Sequence, residues 1–177
     1  MIIVVAGNGS NSGKTTFIRV ILSLYPDTFD VAKLTPSGKL QSAIEVDKSE
    51  LLKGDKDTAF FMREGARKVM WIHGKTKDIG SLLKSSLAQL GDNIIIEGNS
   101  ALRYIKPDLT FFIVRESDSI VNKSAAFAKS MADYIVLNKT SVNYSRNGNI
   151  LNISLLKVLA DPGKFADEFS KILRKFE

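Results

Sequence analysis

The chain has 177 residues, of which 44% are hydrophobic and 25% charged, and its formal net charge is +6. This length and composition predict one globular domain, residues 1–177, with a core large enough to fold without disulfides or a structural metal. The chain has no cysteine and one histidine, which excludes disulfides, cysteine-ligated zinc, iron–sulfur clusters and a multi-histidine metal site within one chain.

The first half of the chain alternates strand and helix patterns. Residues 1–6 form a short apolar run rich in β-branched residues, typical of a buried parallel strand. A polar segment follows, and apolar residues at helical spacing then predict a helix over 15–24. Further patterns predict a strand over 29–34, a helix over 57–66 with Asp55 or Asp57 as its cap, a strand over 68–73 and a helix over 77–90. Residues 39–54 show no readable pattern.

The second half continues the alternation. Its patterns predict strands over 93–97, 109–114, 134–137 and 149–153, and helices over 119–131 and 162–176. Such alternation is typical of an α/β fold, in which a mostly parallel sheet carries helices on both faces. The short strand over 149–153 is expected at an edge of the sheet, where a second copy of the chain could pair with it.

A polar loop separates the first strand from the first helix, where backbone N–H groups and a helix N-terminus can surround a phosphate. Its candidate nucleotide-binding residues are Asn8, Gly9, Ser10, Asn11, Ser12, Gly13, Lys14, Thr15 and Thr16. Lys14 would place its ammonium near the β- and γ-phosphates, and the Thr15 hydroxyl would bind magnesium. The strict motif has glycine where Asn8 stands, but asparagine tolerates a positive φ. The sequence therefore predicts a nucleotide-binding loop.

Two further strand ends carry polar residues. Glu97 ends a strand of three isoleucines. Ligands of open α/β sheets bind at the carboxyl ends of strands, so the Glu97 carboxylate is expected near the phosphates. There it could hold magnesium or orient water. Asn138 and Lys139 follow a later strand and resemble the guanine-reading motif Asn-Lys-x-Asp. Ser141 stands in place of the acid, so the pattern favours GTP only slightly over ATP.

Five segments in this order resemble one family. They are residues 10–16, 31–33, 56–58, 63–69 and 96–98, and together they are similar to MobB, the GTP-binding proteins of molybdopterin-guanine dinucleotide biosynthesis. The resemblance covers residues 1 to about 115. Residues 132–139 resemble instead the metallochaperone GTPases of hydrogenase and urease maturation. Both groups are P-loop NTPases. The histidines that MobB proteins usually carry after the second strand are absent here, so the chain resembles a divergent relative of that family.

The resemblance implies a three-layer P-loop NTPase fold and roles for particular residues. Lys14 and Glu97 are the candidate catalytic residues, and Thr15, Glu97 and Asp57 are the candidate ligands of Mg²⁺. Lys33, at the end of a strand, either contacts a phosphate or is a solvated lysine. His73 is expected to be a surface or capping residue, and Trp71 a core residue.

Three functions are compatible with these residues. The first is an accessory protein of molybdenum-cofactor or metal-cofactor biosynthesis that binds GTP (or ATP), hydrolyses it slowly and docks a protein partner. The second is a small-molecule kinase or ATPase that uses the same loop, with an anionic acceptor near Arg63, Arg67 or Arg103. The third is an adaptor that binds nucleotide without catalysis.

The sequence also bears on location and partners. No apolar run approaches the ~18 residues of a membrane span, and the N-terminus lacks the features of a signal peptide. We therefore expect a soluble, cytoplasmic protein with no membrane partner. The lysines are scattered rather than clustered, which predicts a solvated basic surface and no specific nucleic-acid binding. A homodimer is the further expected partner state.

Overall fold

The computed structural model describes residues 1–54, 56–120, 122–142 and 144–176, and within them nine strands form one sheet. The strands are β1 (Ile2–Gly7), β2 (Asp30–Pro36), β3 (Ala43–Glu45), β4 (Lys68–Gly74), β5 (Ile94–Glu97), β6 (Leu109–Arg115), β7 (Tyr134–Asn138), β8 (Tyr144–Asn147) and β9 (Ile150–Ile153).

Helices connect most of these strands. They are α1 (Lys14–Leu24), α2 (Lys48–Leu51), α3 (Asp57–Arg63), α4 (Thr76–Leu87), a 3-10 helix (Asn99–Arg103), α5 (Lys123–Ser130), α6 (Leu155–Ala160) and α7 (Gly163–Leu173). None of the helices in the described part of the chain has the length and apolar character needed to cross a membrane.

The strand order in the sheet is β3-β4-β2-β5-β1-β6-β7-β9-β8. Every pairing from β4 to β9 is parallel, whereas β3 and β8 pair antiparallel at the two edges. The predicted mostly parallel sheet is therefore confirmed. The predicted edge strand is wrong, because β9 lies between β7 and β8 and has no open side for a second chain.

The sheet is covered on both faces, as expected for parallel strands. In β1, Ile3 and Val5 belong to one core with the side chains of α1, α6 and α7, while Val4 and Ala6 belong to another with those of α4 and α5. All four residues are fully buried. Alternate residues of one strand thus face opposite helical layers, which gives the three-layer α/β architecture.

Several element boundaries differ from the sequence-based expectation. The helix expected over 119–131 begins only at Lys123, because the Asn122 side chain accepts a hydrogen bond from the Ala125 N–H and caps the helix there. Five elements were not predicted: β3 and α2 in the segment over 39–54, the 3-10 helix, β8, and α6. Asp55 lies outside the described residues, and α3 has Lys56 as its N-cap.

The edge of the sheet formed by the amino ends of its strands is held by a buried carboxylate. Asp30 begins β2, and its side chain is 4% exposed. It accepts hydrogen bonds from Arg67 Nε at 2.8 Å and from the Gly91 N–H at 2.6 Å. Burial alone would raise the pKa of the Asp30 carboxyl, but these hydrogen bonds outweigh burial and the pKa lies below its ordinary value.

We expect Asp30→Ala to lower the free energy of unfolding by about 1–3 kcal/mol in urea titrations at pH 7, because the Gly91 N–H loses its acceptor. Asp161→Ala, at an exposed position, is the control. Folding lowers the pKa of Asp30 from its ordinary value of 3.8. The Asp30 carboxylate therefore contributes fully to the free energy of unfolding above pH 3.8, and this contribution is lost as the pH falls through the lowered pKa. An equal effect of the two substitutions at pH 7 would contradict this assignment.

Candidate functional site

The polar loop between β1 and α1 turns through three residues with positive φ. These are Gly9 at 89°, Asn11 at 59° and Gly13 at 108°. Asn8, which stands where the strict motif has glycine, is not among the described residues with positive φ, so the asparagine that adopts this conformation is Asn11. The loop needs no glycine at position 8, because its left-handed turns lie at other positions.

Gly13 is packed too closely for any side chain. A Cβ atom there would lie 2.7 Å from Leu155 Cδ1 and 3.0 Å from Asn138 Nδ2. Asn138 Oδ1 also accepts a hydrogen bond from the Leu155 N–H at 3.4 Å. The loop, the end of β7 and the start of α6 are therefore in direct contact, and this contact requires glycine.

Asn99 fixes the point at which the loop leaves β1. The Gly7 N–H donates to Asn99 Oδ1 at 2.8 Å, and Asn99 Nδ2 donates to the Gly7 carbonyl at 3.0 Å. This pair of hydrogen bonds joins the last residue of β1 to the segment after β5. Sequence analysis did not identify Asn99, although its position two residues after Glu97 is a signal that places it at the same edge of the sheet.

Lys14 is the first residue of α1 and turns back over the loop. Its ammonium donates to the Gly9 carbonyl at 2.6 Å and to Ser12 Oγ at 3.4 Å. Burial lowers the pKa of Lys14; the Glu97 carboxylate opposes that shift and the Lys33 ammonium adds to it. A partly buried ammonium whose closest acceptor is an uncharged carbonyl is well placed to gain from an anionic ligand.

Thr15 and Glu97 form a pair of oxygen ligands beside the loop. Thr15 Oγ1 donates to Glu97 Oε1 at 3.3 Å, and Glu97 is 4% exposed. Hydroxyl and carboxylate oxygens are ligands that magnesium accepts, and in nucleotide sites phosphates and water supply the rest. Within the ranges that the structure describes, no group of three or more His, Cys, Asp or Glu side chains could hold a metal by itself. The residues present fit a magnesium ion shared with a phosphate.

Asp57, the third candidate metal ligand, lies in the same region but faces a cation. It forms an ion pair with Lys33, whose ammonium is also 3.4 Å from Glu97 Oε2. The Lys33 side chain is 20% exposed. Lys33 is thus neither a freely solvated lysine nor a free phosphate ligand in this structure, because two carboxylates from α3 and β5 hold it.

These groups border a cavity of about 620 Å³. Six of the predicted loop residues line it: Ser10, Asn11, Gly13, Lys14, Thr15 and Thr16. Asn8, Gly9 and Ser12 do not, and Asn8 and Ser12 are buried behind the loop surface. We call this space the phosphate-loop cavity.

The arginines of the phosphate-loop cavity are not those proposed from the sequence. Arg19 and Arg115 line it, and Arg63, Arg67 and Arg103 do not. Arg67 instead pairs with Asp30 at the opposite edge of the sheet. Arg19 pairs with Glu64 at 2.5 Å and lies 4.7 Å above the Phe60 ring. Its position four residues after Thr15, about one helical turn, was the available sequence signal.

Asn138 and Lys139 lie at a second cavity, of about 460 Å³, which we call the β7 cavity. Its lining residues are Arg115, Glu116, Ser117, Asn138, Lys139, Thr140, Ser154 and Leu156. Lys139 Nζ lies 2.8 Å from Glu116 Oε1. Arg115 borders both cavities, so the β7 cavity adjoins the phosphate-loop cavity.

The remaining candidates, His73 and Trp71, lie outside both cavities. Their rings are 4.3 Å apart, and Trp71 Nε1 donates to Thr35 Oγ1 at 2.9 Å. Trp71 packs against the core of the α1 face. Neither ring borders Lys14 or Glu97, so His73 is not placed to act as a catalytic base there.

The comparisons with known proteins bear on the fold. No protein-family model matches the chain, and no curated protein matches it at a significant level. Among solved structures, LpxK from Aquifex aeolicus, an "apo" form in complex with ATP, matches 77% of this chain at 21% identity with a TM-score of 0.50. The kinase domain of the Escherichia coli tyrosine kinase ETK matches 82% of this chain and 71% of its own length at 15% identity, with a TM-score of 0.44.

The similarity to LpxK shows the fold: the chain has the α/β fold of P-loop NTPases, as its loop, helix and parallel sheet predict. The match covers 47% of LpxK, so the chain spans about half of that protein's length. The resemblance to MobB in particular finds no counterpart among these matches.

The contacts of Asn99 give a prediction about the site's framework. We expect Asn99→Ala to lower the free energy of unfolding by about 1–3 kcal/mol, because the Gly7 N–H and carbonyl each lose a partner. Urea titration followed by circular dichroism measures this, with Asn149→Ala, at an exposed turn, as the control. A variant as stable as the control would show that Asn99 does not fix the loop.

Proposed function

We propose that the protein binds a magnesium complex of GTP or ATP and hydrolyses it slowly, as an accessory protein of molybdenum-cofactor or metal-cofactor biosynthesis. The observation that carries this proposal is the convergence of Lys14, Thr15 and Glu97 at one cavity. These are an ammonium, a hydroxyl and a carboxylate, the groups that a magnesium-bound phosphate chain requires.

Phosphate binding is proposed at the loop and the first turn of α1. The helix begins at Lys14 with no acidic residue in its first turn, so its N-terminal N–H groups meet no competing carboxylate from that turn. A phosphate oxygen would replace the Gly9 carbonyl as the acceptor of the Lys14 ammonium. That exchange turns a hydrogen bond to a neutral acceptor into a stronger one between opposite charges.

Thr15 and Glu97 are the proposed holders of magnesium. The metal, when bound, would neutralise charge on the phosphates. Glu97 would hold it directly or through water, or orient the water that attacks the terminal phosphorus in line. Lys14 and the loop N–H groups would stabilise the charge that develops on the transferred phosphate.

Slow turnover is expected from the way two of the three other cations at the cavity are held. Lys33 is bound by Asp57 and Glu97, and Arg19 is bound by Glu64. Cations that stabilise transition-state charge account for large rate increases in P-loop enzymes, so their retention by carboxylates favours slow hydrolysis. A protein partner that released one of them would accelerate the reaction.

The proposed biological role rests on the resemblance of residues 1 to about 115 to MobB. Its proposed partners are a protein of cofactor assembly and a second copy of the chain. A second copy could not pair with β9, which is flanked on both sides; the outer strands of the sheet are β3 and β8.

A small-molecule kinase is the second candidate, and one observation favours it. The phosphate-loop cavity extends from Lys14 past Asp57 to Arg19 and Phe60, which leaves room for an acceptor beyond the phosphates. Asp57 has a side chain that is 36% exposed, so an acceptor hydroxyl could reach it. In that reading, Asp57 would take the hydroxyl proton as the acceptor oxygen bonds to the terminal phosphorus and the nucleoside diphosphate leaves.

The proposal is tested with Lys14→Ala. We expect the wild-type protein to bind fluorescent GTP or ATP analogues in magnesium buffer and to release phosphate slowly. The variant should bind at least about tenfold more weakly and release none, because it lacks a charge-assisted hydrogen bond. Lys84→Ala, which removes an exposed lysine from α4, should change neither quantity. Wild-type turnover in Lys14→Ala would contradict the proposal, and binding without any turnover would indicate the non-catalytic adaptor.

Hydrolysis and phosphotransfer are separated by a second experiment. We expect no anionic metabolite in a screen to accelerate nucleotide consumption, and we expect Asp57→Asn to retain nucleotide binding. A metabolite that accelerated consumption in the wild type and failed to do so in Asp57→Asn would favour the kinase. The measurement is nucleoside diphosphate formation with and without each metabolite.

A further inference from the structure

The β7 cavity lies across the carboxyl ends of three parallel strands. Arg115, Asn138 and Ile153 end β6, β7 and β9 and stand side by side in the sheet register. Glu116, Lys139 and Ser154 follow directly, and the Lys139 N–H donates to the Ile153 carbonyl at 2.8 Å, so this next row is also held in order. The cavity therefore has a framework made by the sheet rather than by a single loop.

Glu116 supplies the only carboxylate among the residues that line the β7 cavity. Its Oε1 atom lies 2.8 Å from Lys139 Nζ, which holds the carboxylate at the cavity. Its side chain is 58% exposed, so it remains accessible to a ligand. Ser141 occupies the position at which the motif Asn-Lys-x-Asp has its acid, but it is exposed and does not line the cavity.

One wall of the β7 cavity is apolar. Leu156, at the start of α6, is 75% exposed although it is a large hydrophobic residue. Together with the aliphatic stem of Lys139 it offers two apolar surfaces at one cavity, of the kind that the faces of a flat aromatic ring would cover. The cavity adjoins the phosphate-loop cavity at Arg115, so one nucleotide could occupy both.

We propose that Glu116 makes the site selective for guanine, in place of the acid that Ser141 lacks. This inference rests on the proposed nucleotide binding at the phosphate loop and names the base. Guanine presents two donors side by side on its Watson–Crick edge, N1–H and the 2-amino group, and a carboxylate accepts both. Adenine presents an acceptor at N1, which a carboxylate repels. A carboxylate has about four lone-pair sites on its two oxygens, so Glu116 would keep its contact with Lys139 while it accepts both hydrogen bonds from the base.

The test compares three nucleotides and four proteins in magnesium buffer by titration calorimetry. The nucleotides are GTP, ITP and ATP, and inorganic triphosphate serves as a probe of the phosphate loop alone. The proteins are the wild type, Glu116→Gln, Asp118→Asn and Ser141→Ala. Asp118→Asn is the matched control, because it removes the same charge from the same exposed segment at a residue outside the cavity.

We expect the wild type to bind GTP more tightly than ATP, with ITP between them because inosine lacks the 2-amino donor. Glu116→Gln should weaken GTP binding by about ten- to a hundredfold, the loss expected for a hydrogen bond to a charged group. It should not weaken ATP binding, because the repulsion between the carboxylate and adenine N1 is removed, and it should leave binding of inorganic triphosphate unchanged. Asp118→Asn and Ser141→Ala should bind all four ligands as the wild type does.

Failure of this inference differs from failure of the proposed function. Equal wild-type affinities for GTP and ATP, or a GTP affinity unchanged in Glu116→Gln, would overturn the role of Glu116 and leave phosphate-loop binding intact. A loss of GTP preference in Ser141→Ala would also overturn it, because the base would then be read at Ser141. Binding of neither nucleotide nor inorganic triphosphate to the wild type would overturn both proposals.

Discussion

The site depends on the placement of β1 between β5 and β6. The β1–β5 register sets Val5 opposite Glu97. The hydrogen bonds between Asn99 and Gly7 then join the end of β1 to the segment that follows β5, where both leave the sheet. Residues that are far apart in the sequence thereby reach hydrogen-bonding distance: Thr15 and Glu97 are separated by 82 positions. A parallel sheet brings every strand's carboxyl end to one edge, so the loop after β1 meets whatever follows β5 and β6.

Charge balance explains how Lys14, Lys33, Asp57 and Glu97 are accommodated at the phosphate-loop cavity although water reaches each of them only in part. Lys14 and Lys33 are matched by Asp57 and Glu97, and each carboxylate or ammonium removed from water has an opposite charge nearby. Burying such groups unpaired would cost several kcal/mol each, by an order-of-magnitude estimate. With this balance, an anion that bound beside Lys33 would compete with Asp57 and Glu97 for its ammonium. Binding of such an anion would therefore be linked to rearrangement of the Lys33 ion pairs.

The sequence predicts the elements that are buried on both faces and misses those that are short or half-exposed. β1 and β5 are uninterrupted apolar runs, and that pattern is typical of central parallel strands. β8 has three exposed residues out of four, and β3 has three residues in all, so neither leaves a periodic signal. α6 follows β9 with only Ser154 between them, so no turn signal in the sequence marks where the strand ends and the helix begins.

The same distinction holds for the site. Residues that belong to one contiguous motif, from Gly13 to Thr15, can be identified by spacing alone, because backbone geometry fixes their relation. Arg19 and Asn99 leave only a weak signal of position, one helical turn after Thr15 and two residues after Glu97, and Glu116 can be found only once the sheet register is known. A linear motif looks for the acid of a base site at Ser141, three positions after Asn138, whereas the sheet brings a carboxylate to Lys139 from the neighbouring strand. A missing motif residue is therefore weak evidence against a function, because a ligand contacts side chains that are close in space, whatever their order in the sequence.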